Sequence, residues 1–170
     1  DLMALSRALL DPLDRTAWLG VLRAPWCGLG LAELALLFDG PAPTTPAERL
    51  ADPARVAALG PAATRRLDAL LEVFDGARGQ LGRAPLAAIV ESAWLRLGGA
   101  VVYAAPEAAL DARRFLDAFA EREQGGEWGG VDDLEPLVAR LFAASDAAAE
   151  NAVQVMTIHR AKGLEFDAVI

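Results

Sequence analysis

Leucines at positions 2, 5, 9 and 13 recur at the three- and four-residue spacing of one helix face, and Trp18, Leu19 and Leu22 resume that face after Asp14. Asp14 is a good N-cap and Pro25 a stop, so the chain should open with a hairpin of two helices. Gly28 and Gly30 mark a tight turn within Pro25-Trp26-Cys27-Gly28-Leu29-Gly30, and Leu31, Leu34, Leu37 and Phe38 then supply another short stripe. After a break over 40–45, Thr45 with Pro46 and Glu48 combines an N-cap, a proline at the first helical position and a carboxylate able to reach back, which predicts a short helix. Leu67, Leu70, Leu71 and Phe74 share a face, as do Leu86, Ile89, Val90, Ala93, Trp94 and Leu97, and both patterns predict core helices. Leu116 and Phe119 mark a helix over about 107–122 that ends in the glycine-rich stretch 124–130. The next helix is expected to start at Asp132, with Glu135 completing a capping box, and to bury Leu134, Leu137, Val138, Leu141 and Phe142. Pro136 falls in its first turn, where a missing amide costs little.

Beyond the alanine-rich stretch 143–152 the pattern changes. Val153 to Ile158 is a near-continuous apolar and β-branched run and Asp167 to Ile170 begins another, which predicts two buried strands flanking the loop 159–166. Buried strands need sheet neighbours, and nothing earlier in the chain offers them. The expected fold class is therefore mainly α: a helical unit over 1–150, then a strand-loop-strand piece over 151–170 that belongs to a larger α/β domain.

Composition sharpens this picture. With 54% apolar and 24% charged residues over 170 positions, the chain can bury a sizeable core, and disorder is excluded. The longest run without a charge, Leu97 to Pro106, is far short of the roughly 20 residues that cross a bilayer, so no membrane association is expected. A start at Asp1 without a basic and apolar leader suggests an internal fragment of a cytoplasmic protein, and the lone Cys27 fits a reducing compartment. Acidic residues outnumber basic ones 24 to 16, a formal charge of −8, so any contact with nucleic acid has to come from a local site rather than from net attraction. Lysine occurs once, at Lys162, and the single histidine, His159, lies three positions before it. An ammonium beside an imidazole is a sensible way to hold a phosphate.

The run Met156-Thr-Ile-His-Arg-Ala-Lys-Gly-Leu-Glu-Phe166 closely resembles motif V of the UvrD-like superfamily 1A DNA helicases, a family that includes exonuclease V beta (RecB-like) subunits. Its chemistry suits two ligands. Thr157 and His159 can hydrogen-bond phosphate or sugar oxygens, Lys162 can neutralise a phosphate, Gly163 permits close backbone approach, and the acceptor-only carboxylate of Glu165 suits a ribose hydroxyl. The resemblance implies that Thr157, His159 and Lys162 touch single-stranded DNA while Gly163 and Glu165 approach ATP. It also implies that residues 1–150 are the helical 2B insertion and that 151–170 are the motif V segment of the second RecA-like domain, 2A. In some relatives a Gly-apolar-Gly turn opens a helix whose amides meet duplex phosphate, which makes Gly28 and Gly30 DNA-binding candidates.

Several features are absent from the sequence. It has no G-x-x-x-x-G-K-[ST] phosphate loop and no acidic pair after an apolar strand to hold magnesium, so no catalytic residue is assigned and ATP and Mg2+ are expected to serve the parent enzyme rather than this stretch. Asp132, Asp133 and Glu135 fall at a helix start, where capping is the expected role, and no metal site is assigned. Trp18 and Trp94 read as core, Trp26 as either packing or partner contact, and Trp128 as packing back from its glycine loop. The resemblance implies a bacterial, nucleoid-associated repair and recombination helicase, with or without exonuclease activity, whose partners are single-stranded and forked DNA and the subunits of a helicase-nuclease complex. Two rivals remain: a non-enzymatic protein-interaction module and a degenerate helicase without ATPase activity.

Overall fold

A computed structural model describes residues 1–40, 44–126 and 128–143, apart from the side chains of 142 and 143. The first helix, α1 (Leu2–Leu10), ends earlier than its leucine spacing predicts. Pro12 pushes Asp11 into extended geometry (φ −120°, ψ 95°), so Leu13 sits in a turn and is 65% exposed. Asp14 then starts α2 (Arg15–Arg23) by accepting from the Ala17 amide at 2.9 Å, and its second oxygen accepts from Nε of Arg7 at 2.7 Å. One carboxylate therefore caps α2 and ties it to α1. The hairpin closes tightly because α2 presents Gly20 to α1, where a Cβ would lie only 3.0 Å from that of Ala4.

Short elements follow: α3 (Leu31–Phe38), α4 (Pro46–Ala51) and α5 (Pro53–Ala57). The predicted capping box opens α4, with the Thr45 amide donating to Glu48 at 2.7 Å and the Glu48 amide to Oγ1 of Thr45 at 3.2 Å. No apolar stripe announces α5, which rests on Asp52 as cap and Pro53 at its first position. Unpaired carbonyls at the C-terminal end of α3 are met by arginines from outside it. Arg49, 5% exposed, donates to Phe38 O at 2.8 Å and Asp39 O at 3.1 Å, and Arg55 to Leu37 O at 3.0 Å and Asp39 O at 2.9 Å.

The long elements are α6 (Pro61–Arg78), α7 (Leu86–Arg96) and α9 (Pro106–Gln124), with α8 (Gly99–Val102) a single turn. Pro85 has no side-chain acceptor to cap α7. The Glu123 carboxylate, from the end of α9, does so instead, accepting from the Leu86 amide at 2.6 Å and the Ala87 amide at 3.2 Å. A 3-10 turn, Val131–Asp133, leads into α10 (Leu134–Ala143). The capping box expected at Asp132 and Glu135 does not form. Asp133 accepts from the Gly129 amide and pairs with Arg122 at 3.3 Å, while Glu135 reaches Arg7 at 3.4 Å. Asp133 thus closes the preceding glycine turn as well as pairing with α9, and Glu135 turns toward a cation on α1.

The core is one cluster that runs from Leu5 to Leu137, with α1 packed against α2, α6, α7 and α10. Trp18 and Phe74 stack at its centre with ring centroids 4.6 Å apart, and the buried stripes of α6 and α7 are those the periodicity predicts, except that Leu71, Leu86 and Leu97 are half-buried. Leu134 and Leu137 are buried as expected, Val138 and Leu141 only partly. The Phe142 side chain and the predicted strand-loop-strand over 151–170 lie outside the described residues, among which there is no strand and no helix long and apolar enough to cross a membrane.

Burial pushes the Asp14 carboxyl up, but the Ala17 amide and Arg7 together outweigh it and hold the group below its usual range. Its contribution is therefore present above the unfolded carboxylate value near ~4 and is lost as pH falls through the lowered folded value. Urea unfolding should show Asp14→Ala losing about 1–3 kcal/mol at neutral pH, and Asp14→Asn should flatten the acid limb of stability against pH. Glu123→Ala should cost about 1–2 kcal/mol by the same measurement, with amide exchange rising first at Leu86 and Ala87.

Candidate nucleic-acid interface

Pro25 ends α2, and the backbone must reverse before α3. The amides of Cys27 and Gly28 both donate to Ala24 O, at 2.9 and 2.7 Å, and the Leu29 amide returns to Leu22 O at 2.9 Å. Gly28 takes φ +61°, a left-handed conformation that costs an L-residue about 1–2 kcal/mol, so glycine is required there. Gly30 is different. As N-cap of α3 it has φ −75°, and a Cβ on it would meet only Oε2 of Glu33 at 3.6 Å, an ordinary contact.

Both glycines are exposed, so the start of α3 faces solvent. Its first amide is nevertheless engaged: Gly30 N–H donates to Oε2 of Glu33 at 2.7 Å, and Oε1 of Glu33 lies 3.6 Å from Nη2 of Arg66. Nη1 of Arg66 comes within 3.9 Å of where a Gly28 Cβ would stand. An arginine from α6 thus reaches the turn that the sequence singled out. A phosphate arriving here would meet the Arg66 guanidinium and would have to displace Glu33 from the amide. The sequence reading missed Arg66 because nothing local links position 66 to position 28; the Arg65-Arg66 doublet on a helix was the available signal.

Cys27 lies behind the turn, fully buried. Burial pushes its thiol up to about 11; the Arg66 charge opposes the shift and Glu33 adds to it. The tryptophans resolve as follows. Trp18 and Trp94 are core, and Trp128 packs on Phe119 with centroids 4.6 Å apart. Trp26 is half-buried, donates its indole N–H to Val21 O at 3.0 Å and meets Tyr103 edge-on.

The other predicted contacts, Thr157, His159 and Lys162 for DNA and Gly163 and Glu165 for nucleotide, lie outside the described residues. Among the described residues no group of three or more His, Cys, Asp or Glu could hold a metal ion.

Residues 112–170 match the family model of the UvrD-like helicase C-terminal domain. The matched stretch starts inside α9, takes in α10 and covers the whole run from Met156 to Phe166. It supports the UvrD-like superfamily and a helicase-family origin for this part of the chain. No curated protein and no solved structure matches the chain.

Cys27 should resist alkylation in the native state even at mildly alkaline pH and react once the chain is unfolded in denaturant, as a timed thiol assay would read. Gly28→Ala should lose about 1–2 kcal/mol in chemical unfolding, and Gly30→Ala should lose less than half of that.

Proposed function

We propose that this chain is part of an ATP-dependent DNA helicase of the UvrD-like class, in its exonuclease V beta (RecB-like) or closely related repair branch. One observation carries the reading: the helicase C-terminal family model covers the whole segment whose residues suit a strand and a nucleotide together. In this reading residues 151–170 are the motif V segment of the 2A domain. Thr157 and His159 hydrogen-bond the DNA backbone, Lys162 neutralises one phosphate, Gly163 lets the backbone approach, and Glu165 accepts from the ATP ribose. Coupling follows from this sharing, because a shift of the loop on nucleotide release alters its grip on the strand. The phosphate loop and the magnesium ligands lie outside these 170 residues, and this stretch transmits rather than hydrolyses. Residues 1–150 form a 2B-like unit that positions duplex DNA or partner subunits, with Gly28 and Gly30 at its DNA-facing turn. The setting is the bacterial cytoplasm, in repair and recombination.

A second reading has a specific observation in its favour. The chain carries a formal charge of −8, which works against contact with a polyanion and suits a module that binds another protein and no DNA. Fluorescence anisotropy with labelled single-stranded and forked DNA at low salt separates the two. Lys162→Ala should weaken single-strand binding and reduce the log–log salt slope by about 0.7, the share of one phosphate contact, and His159→Ala should weaken binding with a smaller slope change. Unchanged affinity in both variants would favour the module.

A further inference from the structure

Beside the Gly28 turn, α6 and α7 enclose an open cleft of about 380 Å3, within the usual range of ligand clefts. Its walls carry Arg65 and Arg66 from α6, Arg96 from the end of α7, and Trp26; Leu70 and Val73 form an apolar floor. No carboxylate lines it, although carboxylates outnumber cations in the chain by 24 to 16. Along α6, Asp68 and Glu72 follow Arg65 by three and seven residues and flank it on the side away from the cleft, which they do not line. Three cations thus line the cleft and no carboxylate does.

Their bonding separates them from arginines that serve the fold. Arg7, Arg49, Arg55 and Arg122 each hold a carboxylate or a helix-end carbonyl. Among the described residues Arg65 and Arg96 have neither an ion pair nor a side-chain hydrogen bond, and Arg66 has only the 3.6 Å contact with Glu33. Nη1 of Arg96 would lie 2.8 Å from a Cβ at position 76, so its exposed side chain lies over a glycine in the last turn of α6. Glycine there costs about 1 kcal/mol of helix propensity relative to alanine, and it gives Arg96 its path. The indole N–H of Trp26 is committed to Val21 O, which leaves the ring to act through its apolar surface.

We infer that this cleft is a phosphodiester-binding site for a nucleic-acid strand, with phosphates on Arg65 and Arg96 and a sugar or base against Trp26. Two unpaired guanidiniums supply the charge and forked donors that phosphate needs, and an aromatic face accepts any base. Arg66 makes the cleft continuous with the turn at Gly28, so a strand leaving the cleft runs past the start of α3. The inference rests on the helicase reading for the identity of the ligand, but it concerns residues that reading does not use.

The test is anisotropy of the full chain with labelled single-stranded and forked DNA at low salt. Arg65→Ala/Arg96→Ala should weaken binding about tenfold and lower the single-strand salt slope by about 1.4, two phosphate contacts. The charge-matched control Arg113→Ala/Arg114→Ala, which removes two carboxylate-paired arginines from α9, should change affinity less than about twofold. Gly76→Ala should weaken binding by displacing Arg96 while leaving the unfolding midpoint unchanged or higher, which rules out misfolding as the cause. Loss in the His159→Ala/Lys162→Ala variant should add to loss in the cleft variant. If the cleft variant matches the control, the cleft assignment is overturned while the motif V reading stands or falls on its own variant. An unaltered chain that binds neither DNA overturns it as well. Inorganic phosphate and pyrophosphate should compete no better than potassium chloride of equal ionic strength; specific displacement by either would make this a small-anion site and overturn the strand assignment.

Discussion

The structure depends on burying a nine-residue helix from several sides. Leu5 and Ala8 of α1 have no exposed surface, and α2, α6, α7 and α10 all pack on it. A helix enclosed in this way must be narrow on its closest face, so Ala4 meets Gly20 where larger residues would hold α1 and α2 apart. Once α1 is seated, α6 and α7 are fixed around Trp18 and Phe74, and their outward surfaces are fixed with them. The arginine cleft is therefore a product of the core: its walls are the solvent sides of helices whose other sides enclose α1.

Arginine does two kinds of work here, and geometry tells them apart. At the C-terminal end of α3, Arg49 and Arg55 each spread one guanidinium over several backbone carbonyls, a task that a lysine's compact charge performs less well. Glu123 does the converse at the N-terminal end of α7. These helices are too short to be stable alone, so closing their ends with side chains from elsewhere links the elements and makes the fold cooperative. Cations spent in this way are unavailable to a ligand. That Arg65 and Arg96 are not spent, in a chain so rich in carboxylates, is what sets the cleft apart.

Local chemistry was legible in the sequence and distant chemistry was not. Asp14 and Thr45 announce their helices because a cap acts within three residues, and the stripes of α6 and α7 repeat within one turn. Leu13 was misplaced because its spacing continues a helix that Pro12 forbids. Asp132 and Glu135 look like a capping box from their neighbours, but Glu135 turns to Arg7 on a distant helix, and the adjacent Asp133 bonds the Gly129 amide and Arg122. The interface follows the same division. The turn at Gly28 was readable from its own glycines, whereas the arrival of Arg66 beside it required the fold. The run from Thr157 to Glu165 lies outside the described residues; its resemblance could be drawn from contiguous positions alone, and the family match covers that stretch.

For an acidic protein to bind a polyanion, the range of its charges is a constraint. At physiological salt a surface charge is felt over about 8 Å, so the overall charge of −8 sets the long-range field, and close contact is governed by groups within a few ångströms of the phosphate. In the proposed role the acidic remainder would disfavour unspecific adsorption along DNA and leave binding to places that carboxylates do not line. Glu33 sits at the border of such a place. It holds the Gly30 amide and lies beside Arg66, so a phosphate must break that contact to bind at the start of α3, whereas Arg65 and Arg96 would exchange only hydrating water. A strand bound as proposed would therefore engage the cleft first and the turn second, because only the second step breaks a hydrogen bond within the protein.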